Sequence, residues 1–408
     1  MAAKPKSSVA LHVVRIVLYV ALIAAFDFLF MQQASGAYPS DLPAHITPPA
    51  DDTYSALRIL YQMLLGAFGI QGICGFLALV DVATIALTEY LIRKLAPRVK
   101  PSVALVAAIA CNFLIAIYLP FLHSYYVVGS PGANCWHNST YTVMKLLALA
   151  AMLYYLKFDG AIETRSKGLS WVLFTVMLTL ATSVKPSFAI TFGPAVFVLC
   201  LIDLKRGGTK TVKKSLLIGL SLVIALLVVF YQLTILFPSD GSEEGGIAFG
   251  LAKVWRARHA NIFVSFFQSL AFPFLVVAAT GKKFWEDRTF LLACLITFVA
   301  FCEYVFLYET GARTYHGNFG WGVCFALLYL FIIAAAIFLR ERGELLGLCV
   351  AGDDAEGLRR DRPEGGEALA EAKGKRTAFD YLALIAFALH TCSGIWYFIR
   401  VITGHSYY

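Results

Sequence analysis

The chain has few charged residues. Of its 408 residues, 15% are charged and 59% are hydrophobic, whereas soluble domains average about 25% and about 45–50%. Apolar runs of roughly 20 residues recur from one end to the other, and each is long enough to cross the hydrocarbon core of a bilayer. This composition excludes an ordinary soluble domain and indicates a polytopic, all-α membrane protein.

Cysteine pairs with redox or metal-binding spacing are also missing. The nine cysteines include no CxxC motif and no zinc-type spacing. Seven of them fall within apolar runs, and Cys349 lies in a polar loop. The remaining one, Cys135, is alone in a loop that we assign below to the outer face, so we expect no disulfide there.

No repeat of fixed period is visible. Transporters built from matching halves show internal repeats or paired broken helices near the bilayer midplane. Here a single apolar stretch, 169–203, is broken at Ser183-Val-Lys-Pro-Ser187, because Pro186 cannot continue a helix. We expect a tight hairpin with Lys185 at its outer tip. One break weighs against a transporter, and a flippase for a lipid-linked glycan stays open as an alternative.

The formal net charge of +8 is explained by short basic loops between the apolar runs. Placing these loops in the cytoplasm satisfies the positive-inside rule and requires no nucleic-acid partner. The N-terminus then lies inside, and the other loops lie on the outer face. About eleven membrane helices are predicted, at approximately 11–31, 66–92, 102–122, 140–157, 169–184, 188–203, 215–237, 262–280, 289–308, 321–340 and 379–402.

These helices form one integral membrane domain, 1–408, with two longer connections. The first outer loop, 32–65, ends in a segment from Ala56 to Phe68 whose apolar residues recur at helical spacing. That pattern is typical of an interfacial helix leading into the second span. The connection 341–377 is rich in glycine and charge and predicts a flexible cytoplasmic loop.

The first outer loop holds the main catalytic candidates. Asp41 and His45 lie four residues apart in Tyr38-Pro-Ser-Asp-Leu-Pro-Ala-His45, so they can share one face of a short helix. A carboxylate there can act as a general base, and His45 can orient an acceptor or help to hold a metal. The alternative is a pair of solvated loop residues. Asp51 and Asp52 are alternative acids, although both also suit a helix start.

Two further outer loops combine aromatic and polar side chains. The first contains Trp136, His137 and Asn138. The second contains Glu309, Arg313, His316, Asn318 and Trp321. Such loops offer stacking surfaces and hydrogen-bond donors for a sugar or acceptor, and Arg313 adds a guanidinium that can hold a phosphate. The alternative is an interfacial aromatic belt.

The loop 238–261 departs from the charge rule, because Lys253, Arg256 and Arg258 lie on the outer side. Outer loops are usually poor in Lys and Arg. The cluster predicts an anion site for a lipid phosphate, in which we place Arg258 together with Lys185. An amphipathic helix lying on anionic headgroups would explain the cluster equally well.

The number of spans, the acid after the first span and the interfacial helix together resemble the GT-C superfamily of membrane glycosyltransferases. The resemblance covers most of the chain as topology, and its local motif is Tyr38–His45. It implies an inverting transfer from a polyprenyl-phosphate sugar on the outer face, with Asp41 as base and Lys185, Arg258 or Arg313 stabilising the leaving phosphate. Many members carry two adjacent acids in this loop, whereas Asp41 stands alone here.

The resemblance also implies the partners and location. These are membrane lipid, a lipid-linked sugar donor, and a glycan, lipid or protein acceptor, with the protein in the plasma membrane of a cell with an envelope polysaccharide. A divalent metal is possible, but no spacing argues for one. A polysaccharide polymerase or ligase that uses a diphosphate-linked oligosaccharide stays open as a further alternative.

Overall fold

The computed structural model describes residues 9–47, 56–121, 129–236, 246–281, 285–350 and 376–406. Ten of the helices in these ranges are long and apolar enough to cross a membrane. They are α1 (Val9–Ala34), α3 (Ala56–Leu95), α5 (Ser139–Asp159), α6 (Lys167–Val184), α7 (Ser187–Gly207), α8 (Thr209–Leu236), α10 (Ile262–Thr280), α11 (Arg288–Phe306), α12 (Gly320–Arg342) and α13 (Ala378–Ile402).

Three shorter α-helices, one 3₁₀ helix (Gly311–Arg313) and two short strands complete the described elements. The helices are α2 (Leu42–Ile46), α4 (Pro101–Cys111) and α9 (Lys253–Arg258), and the strands are β1 (Ile247–Phe249) and β2 (Leu307–Glu309). The strands pair antiparallel, with Ile247 opposite Glu309. The all-α, multi-span fold predicted from composition is therefore confirmed.

Helix α12 lies at the centre of the bundle. Its apolar window is 100% buried, whereas that of α1 is 6% buried. A helix that is hydrophobic on every side must be surrounded by other helices, while α1 presents most of its surface outward. The functional candidates at the start of α12 are therefore held by the most enclosed helix of the protein.

The predicted span 102–122 differs from the structure, because its helix ends at Cys111. The chain continues through 112–121 without regular structure. Non-helical backbone at membrane depth needs partners inside the protein, and neighbouring helices supply them. The Ile117 amide donates to the Gln268 carbonyl at 3.0 Å, and the Tyr118 amide donates to Ser393 Oγ at 3.0 Å.

Gly394 allows this irregular segment to cross α13. A Cβ atom at Gly394 would lie 1.3 Å from the carbonyl oxygen of Phe113. Any side chain would therefore overlap the crossing backbone, and only glycine fits. The imidazole of His390, one turn earlier on α13, contacts the Ile115 carbonyl through Nδ1 at 2.7 Å. Helix α13 therefore leaves space for the irregular segment at Gly394 and holds it by a hydrogen bond at His390.

Two helices are interrupted near positions that the sequence analysis singled out. Helix α3 contains a non-helical residue, Gly69 (φ 66°, ψ −166°), which separates 56–68 from the membrane segment. Helices α6 and α7 are joined at Lys185 and Pro186, where the hairpin was expected.

The first part of the connection 341–377 packs beside α4. Within residues 341–350, the Leu348 carbonyl accepts from the Lys100 amide at 3.1 Å.

Opposite ends of the bundle carry different sets of loops. We call the end with Asp41, Asn138, Lys185 and Arg258 the site end. The other end, which we call the paired end, carries Arg288 at the start of α11. Arg288 contacts Asp159 through Nε at 2.8 Å and also pairs with Asp203. Further pairs at this end join Lys214 to Asp159 at 2.8 Å, Arg340 to Asp287 at 2.7 Å and Arg342 to Asp380 at 2.7 Å.

Candidate active site

Asp41 is positioned by the loop that precedes α5. Its backbone amide donates to the His137 carbonyl at 2.9 Å, and Ser40 Oγ donates to the same carbonyl at 2.8 Å. Leu42, the next residue, is fully buried and anchors the start of α2. These contacts hold the half-buried Asp41 side chain at the junction between the first loop and the 129–138 loop.

Asn138 holds the carboxylate of Asp41. Its Nδ2 donates to Asp41 Oδ2 at 2.7 Å. Its Oδ1 accepts from the Tyr141 amide at 2.9 Å and from Thr140 Oγ1 at 2.6 Å. Asn138 is the N-cap of α5, a position at which Asn satisfies an otherwise unpaired helix amide. One side chain therefore both caps a membrane helix and contacts the candidate base.

The His45 amide donates to the Asp41 carbonyl at 3.2 Å, but the His45 imidazole contacts a different residue. Its Nδ1 lies 2.9 Å from Ser139 Oγ. Burial lowers the pKa of His45 to about 4, and the positive charge of Lys185 adds to this shift while Asp41 opposes it. The imidazole is therefore neutral at physiological pH, and it fixes the start of α5 rather than carrying charge beside the carboxylate.

His137 is a second neutral imidazole at this end. Burial lowers its pKa to about 4, although the nearby charge of Asp41 acts in the opposite direction. The ring packs against Trp321 with centroids 5.6 Å apart. His137 is therefore uncharged near neutral pH and places an imidazole ring next to the candidate base.

A cavity of about 300 Å³ opens beside Asp41. It lies between the 129–138 loop, the end of α9, the end of α11 and the start of α12. Its walls combine a carboxylate, a guanidinium, imidazoles and aromatic rings. The lining residues are Asp41, Pro131, Cys135, His137, Asn138, Arg258, Tyr304, Tyr315, His316, Gly317, Asn318, Gly320, Trp321 and Cys324.

Arg258 contributes the guanidinium from the last residue of α9. Its Nη2 donates to the Tyr315 carbonyl. Gly317 has a left-handed backbone (φ 73°), and a Cβ there would lie 3.0 Å from Arg258 Nη1. The left-handed backbone therefore favours glycine here, and the absence of a side chain leaves room for the guanidinium.

Lys185 lies behind the cavity wall and is not among the lining residues. Its Nζ donates to Thr140 Oγ1 at 3.1 Å and lies 4.5 Å from the ring centroid of Trp321. Burial lowers the pKa of Lys185 to about 8, while the charges of Asp41 and Glu309 act against that shift. The ammonium is held between an aromatic face and the start of α5.

The structure brings some predicted residues to the cavity and separates others from it. Asp41, His137, Asn138, Arg258, His316, Asn318 and Trp321 line it. Three further residues lie behind the lining residues and do not reach the cavity: His45, Lys185 and Glu309. Glu309 Oε2 accepts from Asn318 Nδ2 at 2.6 Å. Asp51 and Asp52 lie outside the described residues.

Trp136 and Arg313 lie away from the cavity. Trp136 is 1% exposed and packs against Tyr397 and Phe398, with centroids 5.6 and 4.9 Å apart. Its ring therefore fills the core, where it offers no stacking surface to a sugar. Arg313 ends an exposed 3₁₀ turn, Gly311–Arg313.

Tyr304, Cys324 and Cys135 line the cavity but carried no sequence signal. Tyr304 and Cys324 lie within predicted spans, where an aromatic ring or a thiol is ordinary core. Cys135 is buried, and this raises the pKa of its thiol well above the usual value, with the nearby Cys324 adding to the shift. Among the described residues, no group of three or more His, Cys, Asp or Glu side chains is placed to hold a metal ion.

Comparison with known proteins finds similarity in structure alone. No protein-family model and no curated protein sequence matches the chain. It is similar to the crystal structure of ArnT from Cupriavidus metallidurans in the apo state, with a TM-score of 0.52 and 12% identity over 97% of this chain and 78% of ArnT. It is also similar to ArnT bound to undecaprenyl phosphate, with a TM-score of 0.50 and 13% identity over 98% of this chain and 78% of ArnT. The chain therefore has the GT-C fold of ArnT, as its sequence predicted.

Proposed function

We propose that this protein is an inverting glycosyltransferase that moves a sugar from a polyprenyl-phosphate donor to an acceptor hydroxyl on a glycan, lipid or protein. The GT-C fold supports this proposal, and so does the binding of undecaprenyl phosphate to ArnT, a protein of the same fold. The observation that carries it is the cavity in which a carboxylate, Asp41, and a guanidinium, Arg258, line one space.

The carboxylate is arranged to accept a proton. Asn138 donates a hydrogen bond to Asp41 Oδ2. Among the described residues, no other side chain is hydrogen-bonded to this carboxylate. The second oxygen, Oδ1, is therefore available to an acceptor hydroxyl. Because Asp41 lines the cavity and its Oδ1 has no side-chain partner among the described residues, we assign Asp41 as the general base.

In the proposed reaction, the acceptor oxygen attacks the anomeric carbon while Asp41 Oδ1 takes the hydroxyl proton. The bond between the anomeric carbon and the phosphate oxygen breaks, and its electron pair stays on the phosphate. The products are the glycosylated acceptor and the polyprenyl phosphate. A single displacement of this kind inverts the configuration at the anomeric carbon.

Arg258 is the proposed ligand of the leaving phosphate. Negative charge develops on the phosphate oxygen in the transition state, and a guanidinium placed beforehand stabilises that charge without reorganisation. The Tyr315 carbonyl fixes one side of the guanidinium, which leaves its other N–H groups for a phosphate. Lys185 adds positive potential from behind the wall, and Arg313 is too exposed to share this role.

The ring faces and polar groups around the cavity suit a sugar. Trp321 and His137 offer a stacking surface, while His316 and Asn318 offer hydrogen bonds. Glu309 orients Asn318 from behind. We assign the sugar or acceptor to these side chains, because a site built from a few polar groups on an aromatic wall is typical of small-molecule recognition.

The test is a turnover assay with purified protein in nanodiscs, supplied with polyprenyl-phosphate sugars. We expect Asp41→Asn to fold normally and bind donor with near-normal affinity, with turnover reduced by roughly 100-fold or more, because the amide cannot take the proton. Glu163→Gln, which changes an exposed carboxylate at the paired end, is the control and should retain full turnover. Full turnover in Asp41→Asn would exclude Asp41 as the base.

Donors with a diphosphate linkage form a second arm of the same assay. Turnover with these donors and none with monophosphate donors would identify a polymerase or ligase instead. In sealed liposomes that contain the protein, movement of an intact lipid-linked glycan across the bilayer without transfer would identify a flippase.

We further propose that the site end faces the outside of the plasma membrane, since the basic loops lie at the paired end. A membrane-impermeant thiol reagent should label His316→Cys in intact cells and should label Arg165→Cys only after permeabilisation. The reverse pattern would contradict this orientation.

A further inference from the structure

We infer that Asn138 is a positioning residue for Asp41, set in place by Thr140 and Lys185, and that it is not a sugar ligand. This inference rests on the proposed role of Asp41 as base. It differs from the expectation drawn from the sequence, in which Asn138 belonged to a sugar-binding loop.

Four side chains form one hydrogen-bonded chain. Lys185 Nζ donates to Thr140 Oγ1 at 3.1 Å, and Thr140 Oγ1 donates to Asn138 Oδ1 at 2.6 Å. Asn138 Nδ2 then donates to Asp41 Oδ2 at 2.7 Å. The chain links the α6–α7 hairpin to the start of α5 and to the first loop.

The direction of every bond in this chain is determined by chemistry. A lysine ammonium only donates, so the Thr140 hydroxyl must direct its single proton towards Asn138 Oδ1. The Tyr141 amide donates to the same Oδ1 at 2.9 Å, which identifies the oxygen of the amide independently. The nitrogen of Asn138 must therefore face Asp41, and Asp41 must accept.

Asn138 has little capacity left for a substrate. Its oxygen accepts two hydrogen bonds, one of its two N–H groups is given to Asp41, and the residue is 6% exposed. A sugar ligand would need free donors or acceptors directed into the cavity. The geometry instead suits a group that stabilises the ionised carboxylate and leaves Oδ1 for the acceptor.

Several other charged or titratable groups surround Asp41. His45 and His137 are neutral above about pH 5, because burial lowers the pKa of each to about 4. The other charged groups are Lys185 on the hairpin, Arg58 on α3, Arg258 at the end of α9, and His316 and Glu309 around the cavity. The titratable thiols and phenols that line the same cavity are Cys135, Cys324, Tyr304 and Tyr315. A change at Asn138 is therefore distinguishable from titration of the two nearest imidazoles.

Asn138→Asp is the decisive variant. Asp is as good an N-cap as Asn, so α5 should keep its start. The new carboxylate would lie against that of Asp41, and two carboxylates in contact hold a shared proton. We expect the acidic limb of the kcat/KM profile to move up by about one pH unit or more, with turnover restored as the pH rises. KM for the donor should stay within about threefold.

Asn261→Asp is the matched control. Asn261 caps α10 at the same end of the bundle and accepts from the Phe263 and Val264 amides at 3.1 Å each. The Asn261→Asp variant therefore makes the same substitution at another helix cap, one that does not contact Asp41. Its pH profile should match the wild type, and an equal shift in both variants would overturn the inference.

Thr140→Val tests the next link. It removes the hydroxyl but keeps the side-chain shape, so the Asn138 amide loses one of the two bonds that orient it. We expect a smaller fall in kcat than in Asn138→Asp with KM unchanged, and Thr140→Ser should restore the wild-type value. A rise in KM without a fall in kcat would instead make these residues substrate ligands.

An infrared pH titration gives a readout that needs no substrate. Subtracting the spectrum of Asp41→Asn isolates the carboxyl band of Asp41 in each background. The midpoint of that band should be higher in Asn138→Asp than in the wild type. An unchanged midpoint would overturn the positioning role even if the protein is a glycosyltransferase. A shifted midpoint with no turnover of any donor would refute the proposed function and leave the contact between Asn138 and Asp41 established.

Discussion

The two ends of the bundle use charge in opposite ways. At the paired end, Arg288, Asp159, Asp203 and Lys214 are within salt-bridge distance of one another. At the site end, Asp41, Lys185 and Arg258 make no ion pair within the described part of the chain. The carboxylate is instead held by a neutral amide, and the guanidinium by a backbone carbonyl.

This difference matches the proposed division between structural and functional charge. Pairs at the paired end join the termini of α5, α7, α8 and α11, so they hold these helix ends together. Charges near a membrane that are not neutralised by an opposite charge are costly and are retained mainly for function. We therefore propose that the unpaired charges at the site end serve the substrate.

The largest effect is expected from breaking the paired end. Arg288→Met removes one of the two cations that pair with Asp159, which is 4% exposed, while Lys214 stays 2.8 Å from the same carboxylate. Because Lys214 remains and Arg288 is 32% exposed, the loss should be smaller than the about 3–5 kcal/mol that follows when a fully buried pair is broken. We expect a clear fall in the thermal unfolding temperature and in the yield of folded protein. The fraction that folds should keep its turnover number.

The quadruple variant Arg288→Met, Lys214→Met, Asp159→Leu, Asp203→Leu serves as its control. Removing all four charges of the cluster together leaves none of them uncompensated, so most of the lost stability should return. A quadruple variant less stable than Arg288→Met would show that these residues act independently.

The second-largest effect is expected at the site end, where the change should affect activity and not stability. Arg258→Met should weaken donor binding by about 10- to 100-fold, since a hydrogen bond to a charged group contributes roughly 1.5–3 kcal/mol. Its unfolding temperature should stay near that of the wild type. Titration of a polyprenyl phosphate by calorimetry measures the affinity directly, and unchanged affinity would remove Arg258 from the phosphate site.

A third, smaller effect concerns Lys185 and pH. Because burial lowers its pKa to about 8, the ammonium loses its proton as the pH rises through that value, and its positive potential at the site is lost. We expect kcat/KM to fall by less than about fivefold across this range. Lys185→Arg stays charged, so the fall should move to higher pH. Identical basic limbs in the two proteins would show that another group titrates.

The smallest effect is expected where a pair is exposed. Arg98 and Glu344 are 3.5 Å apart, with side chains that are 37% and 34% exposed. Exposed pairs contribute less than about 1 kcal/mol. Arg98→Gln should therefore leave both the unfolding temperature and the turnover close to those of the wild type. A large loss of stability would mean that the contrast between buried and exposed pairs does not hold at this end.

Much of the fold could be predicted because it follows from length and polarity. Apolar runs long enough to span a bilayer, the break at Pro186 and the basic loops are local properties of the sequence. The helix that ends at Cys111 was not predictable in this way, because 112–121 is as apolar as a span. Its backbone leaves the helix only because Gln268, His390 and Ser393, distant in sequence, supply hydrogen bonds.

The candidate site was predictable in part for the same reason. Asp41 was identified by its place after the first span, which is local information. Asn138 and Trp136 are two residues apart in one loop, yet one contacts Asp41 and the other fills the core against Tyr397 and Phe398. Which side of a loop faces a cavity is decided by tertiary packing, and sequence spacing does not encode it.

The crossing at Gly394 sets an order for biogenesis. The 112–118 segment lies beneath the 129–138 loop, whose Asn134 Nδ2 donates to the Cys111 and Leu114 carbonyls at 3.0 and 3.1 Å. The helix that holds this segment, α13, follows all the other described helices along the chain. During synthesis, the 112–118 segment must therefore wait for α13 to enter the membrane. In a series of arrested nascent chains, protease resistance at 112–118 should appear only once Thr403 has left the ribosome, and earlier protection would show that the segment is fixed without α13.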